Sequence, residues 1–375
     1  MPGDDFLGPN WSMEGFSDQT VRQVVRLSTG GGTVRVRLSN LYGNGPLRVA
    51  GATIAKAGAG AAVEPGTIRR LTFGGSSGVT IPAGHQAGSD ATPLAAAPLE
   101  SLTVTLYLAK ATGPSTFHEG GQVTTYRADG DHRFDVDAGA FGGETSHSFY
   151  YLTGVDVAGG HSRNTVVAFG DSITDGHAST VDADNRYPDE LAERLVAAGR
   201  PLGVANAGIN GNMLLSEVPC SGEKAVTRFR RDVAGQPGVR TAIVLFGTND
   251  IFRSEVDFGC GLSPRISAAD LIAGHRALIK AAHAHGIRVV GGTIIPLSTP
   301  FFPEPALTRA EAIRDEVNHW VRTSGEFDAV VDFDQALADP ASPDVLNPVY
   351  DSGDGIHPND AGYRAMAAAV DLSAL

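Results

Sequence analysis

The chain has 375 residues, more than one ordinary domain holds, which predicts two domains or three. Hydrophobic residues make up 42% of it and charged residues 19%, so a buried core can form and global disorder is excluded. The net charge of −13 disfavours nucleic-acid binding through a basic face, and no apolar run reaches the roughly 18 residues that a membrane span requires.

Residues 1–160 are predicted to form an all-β domain. Apolar and polar residues alternate over residues 33–38 and again over residues 101–108, which is the pattern of antiparallel strands with one face on a core. Glycine-rich turns separate such segments, as at residues 30–32 and 74–78. Many short strands between turns predict a β-sandwich of the jelly-roll type.

Residues 161–375 are predicted to form a separate α/β domain, because short apolar runs alternate there with longer amphipathic segments. The runs predicted as strands are residues 165–169, 202–206, 241–246, 287–294 and 329–333, and the segments predicted as helices are residues 188–198, 223–233, 268–285, 308–323 and 360–370. This order predicts a parallel sheet covered by helices on both faces. Ligands of such sheets bind outside the carboxyl ends of the strands, so the residues after each strand are the place to look for chemistry.

A serine follows the first of these runs, in the segment Gly170-Asp171-Ser172. A serine on a tight turn between a strand and a helix lies at the sheet edge, near the positive end of the helix dipole. The segment is not a Gly-x-Ser-x-Gly motif and has no lysine of a phosphate-binding loop. Taken alone, such a serine is more often a helix N-cap than a nucleophile.

Two further loops follow the second and third runs. Gly211, between two asparagines, leaves backbone N–H groups uncovered by side chains, and Asn249 can direct its amide into the same crevice. The alternative interpretation of the Gly211 segment is a flexible loop, and that of Asn249 is an asparagine that only forms a turn.

An aspartate, Asp354, precedes His357 by three residues near the C-terminus. This spacing allows the carboxylate to bond one ring nitrogen while the other nitrogen faces the crevice. Metal binding is the rival interpretation, but a catalytic zinc needs three protein ligands and no histidine cluster is present in the sequence.

Four segments have now been described: those around Ser172, Gly211 and Asn249, and the segment from Asp354 to His357. In this order along the chain, they resemble the four catalytic blocks of the SGNH hydrolase superfamily, also called GDSL esterases or lipases. The resemblance covers residues 161–375, with Ile173 in place of the family's leucine as one small departure. It implies a three-layer α/β/α flavodoxin-like sheet, and the first half of the chain resembles the β-sandwich that precedes the hydrolase domain in some bacterial members.

The resemblance also implies the roles of the site residues. Ser172 is the expected nucleophile, His357 its base and Asp354 the carboxylate that orients the imidazole. The expected oxyanion hole consists of the backbone N–H groups of Ser172 and Gly211 and the side-chain amide of Asn249. No metal and no cofactor are implied.

The expected activity is hydrolysis of carboxylic esters with short acyl or acetyl groups, on a small-molecule or polysaccharide substrate. One alternative is a polysaccharide acetylesterase guided by the β-domain, and another is an inert carbohydrate-binding or adhesion protein. Intact Ser172, Asp354 and His357 speak against the inert protein. Four phenylalanines are candidates for an acyl pocket and equally for core packing: Phe252, Phe258, Phe301 and Phe302.

The two cysteines of the chain, Cys220 and Cys260, either form one disulfide or remain free thiols. A disulfide closing a loop of about 40 residues stabilises the fold by roughly 4 kcal/mol, and we expect it to connect two loops that follow catalytic segments.

The N-terminal segment, MPGDDFLGPNWS, lacks the pattern of a signal peptide. The cysteine pair and the resemblance to secreted members favour an exported protein, while a cytoplasmic location stays open.

Overall fold

The computed structural model of the chain describes residues 7–162, 164–257, 259–302 and 304–375. The chain divides into two compact units. The first consists of Met1–Ser162 with Val181–Ala183, and the second consists of Arg163–Thr180 with Asp184–Leu375.

The first unit is built of antiparallel strands. Within residues 7–162 these are β1 (Gln19–Arg26), β2 (Gly31–Ser39), β3 (Leu47–Val49), β4 (Gly51–Lys56), β5 (Arg69–Leu71), β6 (Val79–Ile81), β7 (Gln86–Gly88), β8 (Thr92–Ala96), β9 (Ser101–Leu108), β10 (Phe117–His118), β11 (Thr125–Asp129), β12 (Thr145–Ser146), β13 (Phe149–Tyr150) and β14 (Leu152–Ala158). The larger sheet has the order β12-β11-β1-β9-β4-β5, and the smaller has the order β14-β2-β7 with β8 also paired to β2. Two short pairs, β3-β6 and β10-β13, complete the unit together with one 3-10 turn at Gly139–Phe141.

The two larger sheets share one apolar core. Val21 in β1, Ile54 in β4 and Val104 in β9 face it from the larger sheet, and Val36 in β2 faces it from the smaller sheet. All four side chains are buried completely. Two antiparallel sheets over a common core form a β-sandwich, so the all-β prediction for this part of the chain is confirmed.

The second unit contains a parallel sheet, a small hairpin and helices. The strands of the sheet are β15 (Asn164–Gly170), β16 (Leu202–Gly208), β17 (Val239–Leu245), β18 (Arg288–Gly292) and β19 (Ala329–Val331), and those of the hairpin are β20 (Ala338–Asp339) and β21 (Ser342–Leu346). The α-helices are α1 (Ser172–Asp175), α2 (Tyr187–Ala197), α3 (Ala225–Phe229), α4 (Thr248–Phe252), α5 (Ala268–His283), α6 (Ala306–Thr323), α7 (Phe333–Leu337) and α8 (Asp360–Ala369). A π-helical turn at Arg230–Ala234 continues α3, and a 3-10 turn, Leu372–Ala374, follows α8.

Alternate residues of β15 show that the sheet is covered on both faces. Val167 and Phe169 belong to the core formed with α3, α5 and α6, whereas Val166 and Ala168 belong to the core formed with α2, α7 and α8. Both faces of a parallel strand are therefore apolar, which explains its continuous apolar sequence. The three-layer α/β/α prediction is confirmed.

The sheet order is β16-β15-β17-β18-β19, with every pair parallel. In chain order this is 2-1-3-4-5, the flavodoxin-like arrangement, in which the winding direction reverses between the first and third strands. A crevice forms at the carboxyl ends of the strands at such a reversal. None of the helices in the described part of the chain combines the length and the apolar character needed to span a membrane.

Candidate active site

The turn after β15 presents Ser172 as the first residue of α1. Asp171 is the N-cap, in extended conformation, and its side chain accepts the backbone N–H of Ile173 at 3.0 Å. The helix ends after one turn at Gly176, whose backbone φ of +100° is rarely adopted by residues that carry a side chain. Asp171 itself is completely buried, and burial raises its pKa to about 7. The turn is therefore fixed at both ends around the serine.

Ser172, His357 and Asp354 form a continuous hydrogen-bonded chain. Ser172 Oγ lies 2.8 Å from His357 Nε2, although 185 positions separate the two residues. His357 Nδ1 lies 2.6 Å from Asp354 Oδ2. Because the ring nitrogen next to the carboxylate carries the proton, Nε2 is free to accept the serine hydroxyl.

The carboxylate of Asp354 is held by its own loop as well as by the imidazole. Its Oδ1 accepts the backbone N–H groups of Ile356 and His357, each at 2.8 Å. Partial burial alone would raise the pKa of Asp354, but the hydrogen bonds and charge of His357 and the backbone donors hold it well below its ordinary value. Asp354 is therefore ionised at neutral pH.

Besides Ser172, the predicted oxyanion donors are Gly211, in the loop after β16, and Asn249, in α4. Gly211 has a φ of +70°, and Asn249 is in α4, where its Nδ2 donates to the backbone carbonyl of Asn212 at 3.2 Å. The next residue, Asp250, accepts the N–H groups of Leu214 and Leu215 at 2.7 and 3.0 Å. These bonds fasten the Gly211 loop to α4.

The cysteines are joined: the structure contains a disulfide between Cys220 and Cys260. Cys220 Sγ lies 3.5 Å from Nη1 of Arg253, at the end of α4. A methyl group placed on Gly211 would meet Nη2 of the same arginine at 2.8 Å. The disulfide therefore lies one side chain away from the Gly211 loop.

The phenylalanines fall into different environments. Phe252 and Phe302 are buried and pack edge to face, with 4.3 Å between ring centroids, as members of the core. Phe301 is half exposed. Phe258 lies outside the described residues, so the acyl-pocket hypothesis stays a prediction.

The sequence prediction missed three residues near the site. His177 packs on His357, Asp250 anchors the Gly211 loop, and Arg228 is buried beneath the turn of Ser172 and the Gly211 loop. Asp250 directly follows Asn249, but its sequence position alone does not disclose what its carboxylate binds.

A serine bonded to a histidine at the carboxyl edge of a 2-1-3-4-5 parallel sheet has the architecture of the SGNH hydrolases. The sequence profile of the GDSL-like lipase/acylhydrolase family matches residues 168–365, more than half of the chain, so the protein belongs to this family of hydrolases. The resemblance seen in the sequence is confirmed.

Several solved structures are similar to somewhat more than half of this chain. An aryl esterase of M. smegmatis is 18% identical, with 55% of this chain and 95% of that chain covered and a TM-score of 0.43. An acetyl-xylooligosaccharide esterase variant from Geobacillus is 20% identical, with 56% and 92% covered and a TM-score of 0.42. A GDSL-like lipase from Bacteroides thetaiotaomicron is 19% identical, with 56% and 88% covered and a TM-score of 0.41. No curated protein matches the chain in sequence.

Proposed function

We propose that the protein is a serine esterase that hydrolyses carboxylic esters through an acyl-enzyme. The observation that carries this proposal is the hydrogen-bonded chain from Ser172 through His357 to Asp354 at the edge of the sheet. A free serine hydroxyl is a weak nucleophile, and a base within hydrogen-bond distance is what activates it.

The reaction follows from these contacts in two halves. Ser172 Oγ attacks the ester carbonyl carbon while its proton passes to His357 Nε2, and the resulting imidazolium gives that proton to the leaving alcohol. A water molecule then attacks the acyl-enzyme and loses its proton to His357, which returns it to Ser172 as the carboxylic acid leaves. Such proton transfer contributes about 10²–10⁴-fold to the rate. Ionised Asp354 stabilises the imidazolium.

The negative charge of the tetrahedral intermediate is stabilised by the backbone N–H groups of Ser172 and Gly211 and by the amide of Asn249. The link from Asn249 Nδ2 to the carbonyl of Asn212 supports this assignment, because it holds the amide beside the Gly211 loop. Its second N–H is free to donate to the oxyanion.

The proposed substrates are short-chain or acetyl esters. Phe252 and Phe302 pack on one another in the core, so this proposal does not assign these two rings to an acyl pocket. In this proposal residues 161–375 carry the chemistry, residues 1–160 are an accessory β-domain, and the protein is secreted, which the disulfide supports.

Substitution of the serine tests the proposal. Ser172→Ala should abolish hydrolysis of p-nitrophenyl acetate and labelling by a fluorophosphonate, with an unchanged circular dichroism spectrum. Ser179→Ala is the matched control, because Ser179 is an equally buried serine of the same unit and should leave both readouts unchanged. Turnover by Ser172→Ala near that of the wild type would overturn the proposed nucleophile.

A panel of esters identifies the substrate class. Rates should be highest for acetyl and butyryl esters and fall towards palmitoyl. Preference for acetylated xylan over p-nitrophenyl acetate would favour the polysaccharide acetylesterase instead. A wild-type protein that neither turns over any ester nor reacts with the fluorophosphonate would be the inert binding protein.

A further inference from the structure

Arg228, in α3, is a buried arginine whose guanidinium reaches two segments of the site. Its side chain is 1% exposed, and the guanidinium lies over the ring of Phe169, 4.3 Å from the centroid. Nη2 donates to the carbonyl of Gly170 at 2.8 Å, and Nη1 donates to the carbonyl of Ala207 at 2.9 Å. Nε donates to Oδ1 of Asn212 at 3.0 Å.

Each of these acceptors precedes or adjoins a proposed oxyanion donor. Gly170 is the last residue of β15, two positions before Ser172. Ala207 lies at the end of β16, which leads into the Gly211 loop. Asn212 directly follows Gly211, and its own backbone carbonyl accepts the amide of Asn249.

The Gly211 loop is therefore fixed from several directions through Asn212. Oδ1 of Asn212 accepts a hydrogen bond from Arg228, and Nδ2 of Asn212 donates to the carbonyls of Ser221 and Glu223 at 2.7 and 2.8 Å. The Asn212 side chain is 1% exposed. A side chain with every hydrogen-bonding group engaged and no room to rotate fixes the backbone next to it.

A guanidinium suits this position because its N–H donors form a rigid planar fork. Three of its nitrogens bind three acceptors on these two chain segments, which the single ammonium of lysine cannot do with the same geometry. Burial of the charge lowers the pKa of Arg228, whereas Asp232, 3.2 Å away, raises it. A buried charge is costly, so its presence beneath the site calls for a role that an apolar side chain would not fill.

We propose that Arg228 is a positioning residue of the oxyanion hole, which holds the turn of Ser172 and the Gly211 loop at the separation that aims their donors, with Asn249, at one point. This inference rests on the proposed esterase function. Because the donors stabilise the oxyanion and not the ground-state ester, loss of Arg228 acts on the transition state. It lowers kcat and leaves KM nearly unchanged.

The test compares Arg228→Met and Arg228→Lys with the wild type, with kcat expressed per active site titrated by the fluorophosphonate so that unfolded protein is not counted. Arg228→Met should lower kcat by about 10²-fold with KM within about threefold, in line with the loss of an oxyanion donor. Arg228→Lys, which keeps the charge and is the variant to use if the methionine variant does not fold, should recover part of kcat. Binding of a trifluoromethyl ketone, whose adduct with serine carries an oxyanion, should weaken in parallel with kcat.

Arg194→Met is the matched control. Arg194 also donates to backbone carbonyls of the same unit, those of Ala367 and Val370, but these lie at the end of α8. This variant should lower the melting temperature without changing kcat or binding of the ketone.

The outcomes separate the inference from the proposed function. A reduced melting temperature of the Arg228 variants with unchanged kcat per titrated site would overturn the positioning role and leave the esterase standing. The same holds for an effect on KM alone. A wild-type protein that is neither active nor labelled would overturn the function, and the inference would fall with it.

Discussion

The imidazole of His177 packs on the imidazole of His357, with the two ring centroids 4.4 Å apart. The backbone N–H of His177 donates to the carbonyl of Ser172 at 3.0 Å, and its carbonyl accepts the hydroxyl of Tyr363 at 2.6 Å. Burial, and secondarily the charge of His357, lower the pKa of His177 to about 4. The ring of His177 is thus neutral at pH 7, so it packs on His357 without placing a second positive charge beside it.

We predict that the ring of His177 matters for its shape and not for its titration. His177→Phe keeps a flat ring against His357 and should leave kcat within about threefold of the wild type, whereas His177→Ala opens a cavity and should lower kcat about tenfold or more. Steady-state kinetics with p-nitrophenyl acetate measure both. A loss in His177→Phe as large as in His177→Ala would contradict the prediction and give His177 a chemical role.

Asn249→Ala should lower kcat by about 10²–10³-fold while KM changes little, because the amide is proposed to bind the oxyanion that exists only along the reaction path. Asn249→Asp is the informative companion, since it keeps the shape but replaces a donor with a carboxylate that repels the oxyanion. It should be at least as slow as the alanine variant. An increase in KM with unchanged kcat would instead mean that Asn249 only binds the substrate.

The acid sensitivity of the fold should depend on His275, a buried histidine of α5 that packs near the rings of Trp320 and Phe327. Burial lowers its pKa to about 4, while a hydrogen bond with the backbone of Phe246 opposes this shift. Between pH 6.5 and 4 the unfolded chain therefore binds a proton that the folded chain does not. The contribution to the free energy of unfolding is fully present above pH 6.5 and is lost as the pH falls to about 4, by about 3 kcal/mol.

Other buried groups titrate in the same pH range, so the prediction concerns a difference between variants. Burial raises the pKa values of Asp171 and Asp250 to about 7 and 6, and these two groups make the fold more stable as the pH falls. Urea unfolding from pH 7 to 4 should show a flatter loss of stability in His275→Leu than in the wild type. The matched control His285→Leu changes an exposed histidine near the same helix and should retain the wild-type dependence.

The layer structure of the second unit could be predicted from the sequence because each layer has a periodic signature. The runs at residues 165–169 and 241–246 correspond to β15 and β17, and the segment 268–285 corresponds to α5. The short helices α4 and α7 could not be predicted in this way, since one turn of helix shows no period. The predicted length of the α-helix at residues 223–233 was also wrong. In the structure α3 spans Ala225–Phe229 and passes into a π-helical turn at Arg230–Ala234.

The candidate site could be predicted as far as residue type alone carries chemistry. Ser172, His357 and Asp354 stand out because nucleophile, base and carboxylate occur at the ends of the right elements. Arg228 does not, since a basic residue on a short helix is normally solvated, and only the tertiary fold brings the carbonyls of Gly170 and Ala207 to it. Such residues are recognised by what they contact and not by sequence position.

The disulfide between Cys220 and Cys260 closes a loop of 40 residues between the segments after β16 and after α4. The double variant Cys220→Ser/Cys260→Ser should lower the free energy of unfolding by about 4 kcal/mol through the greater entropy of the unfolded chain. Since Cys220 contacts Arg253, which lies against Gly211, kcat should also fall about three- to tenfold. Treatment with dithiothreitol should reproduce both effects in the wild type and leave the double variant unchanged. Equal stability of the oxidised and reduced wild-type protein in urea would contradict the stabilising role, and an unchanged kcat after complete reduction would show that the oxyanion loop does not depend on the bridge.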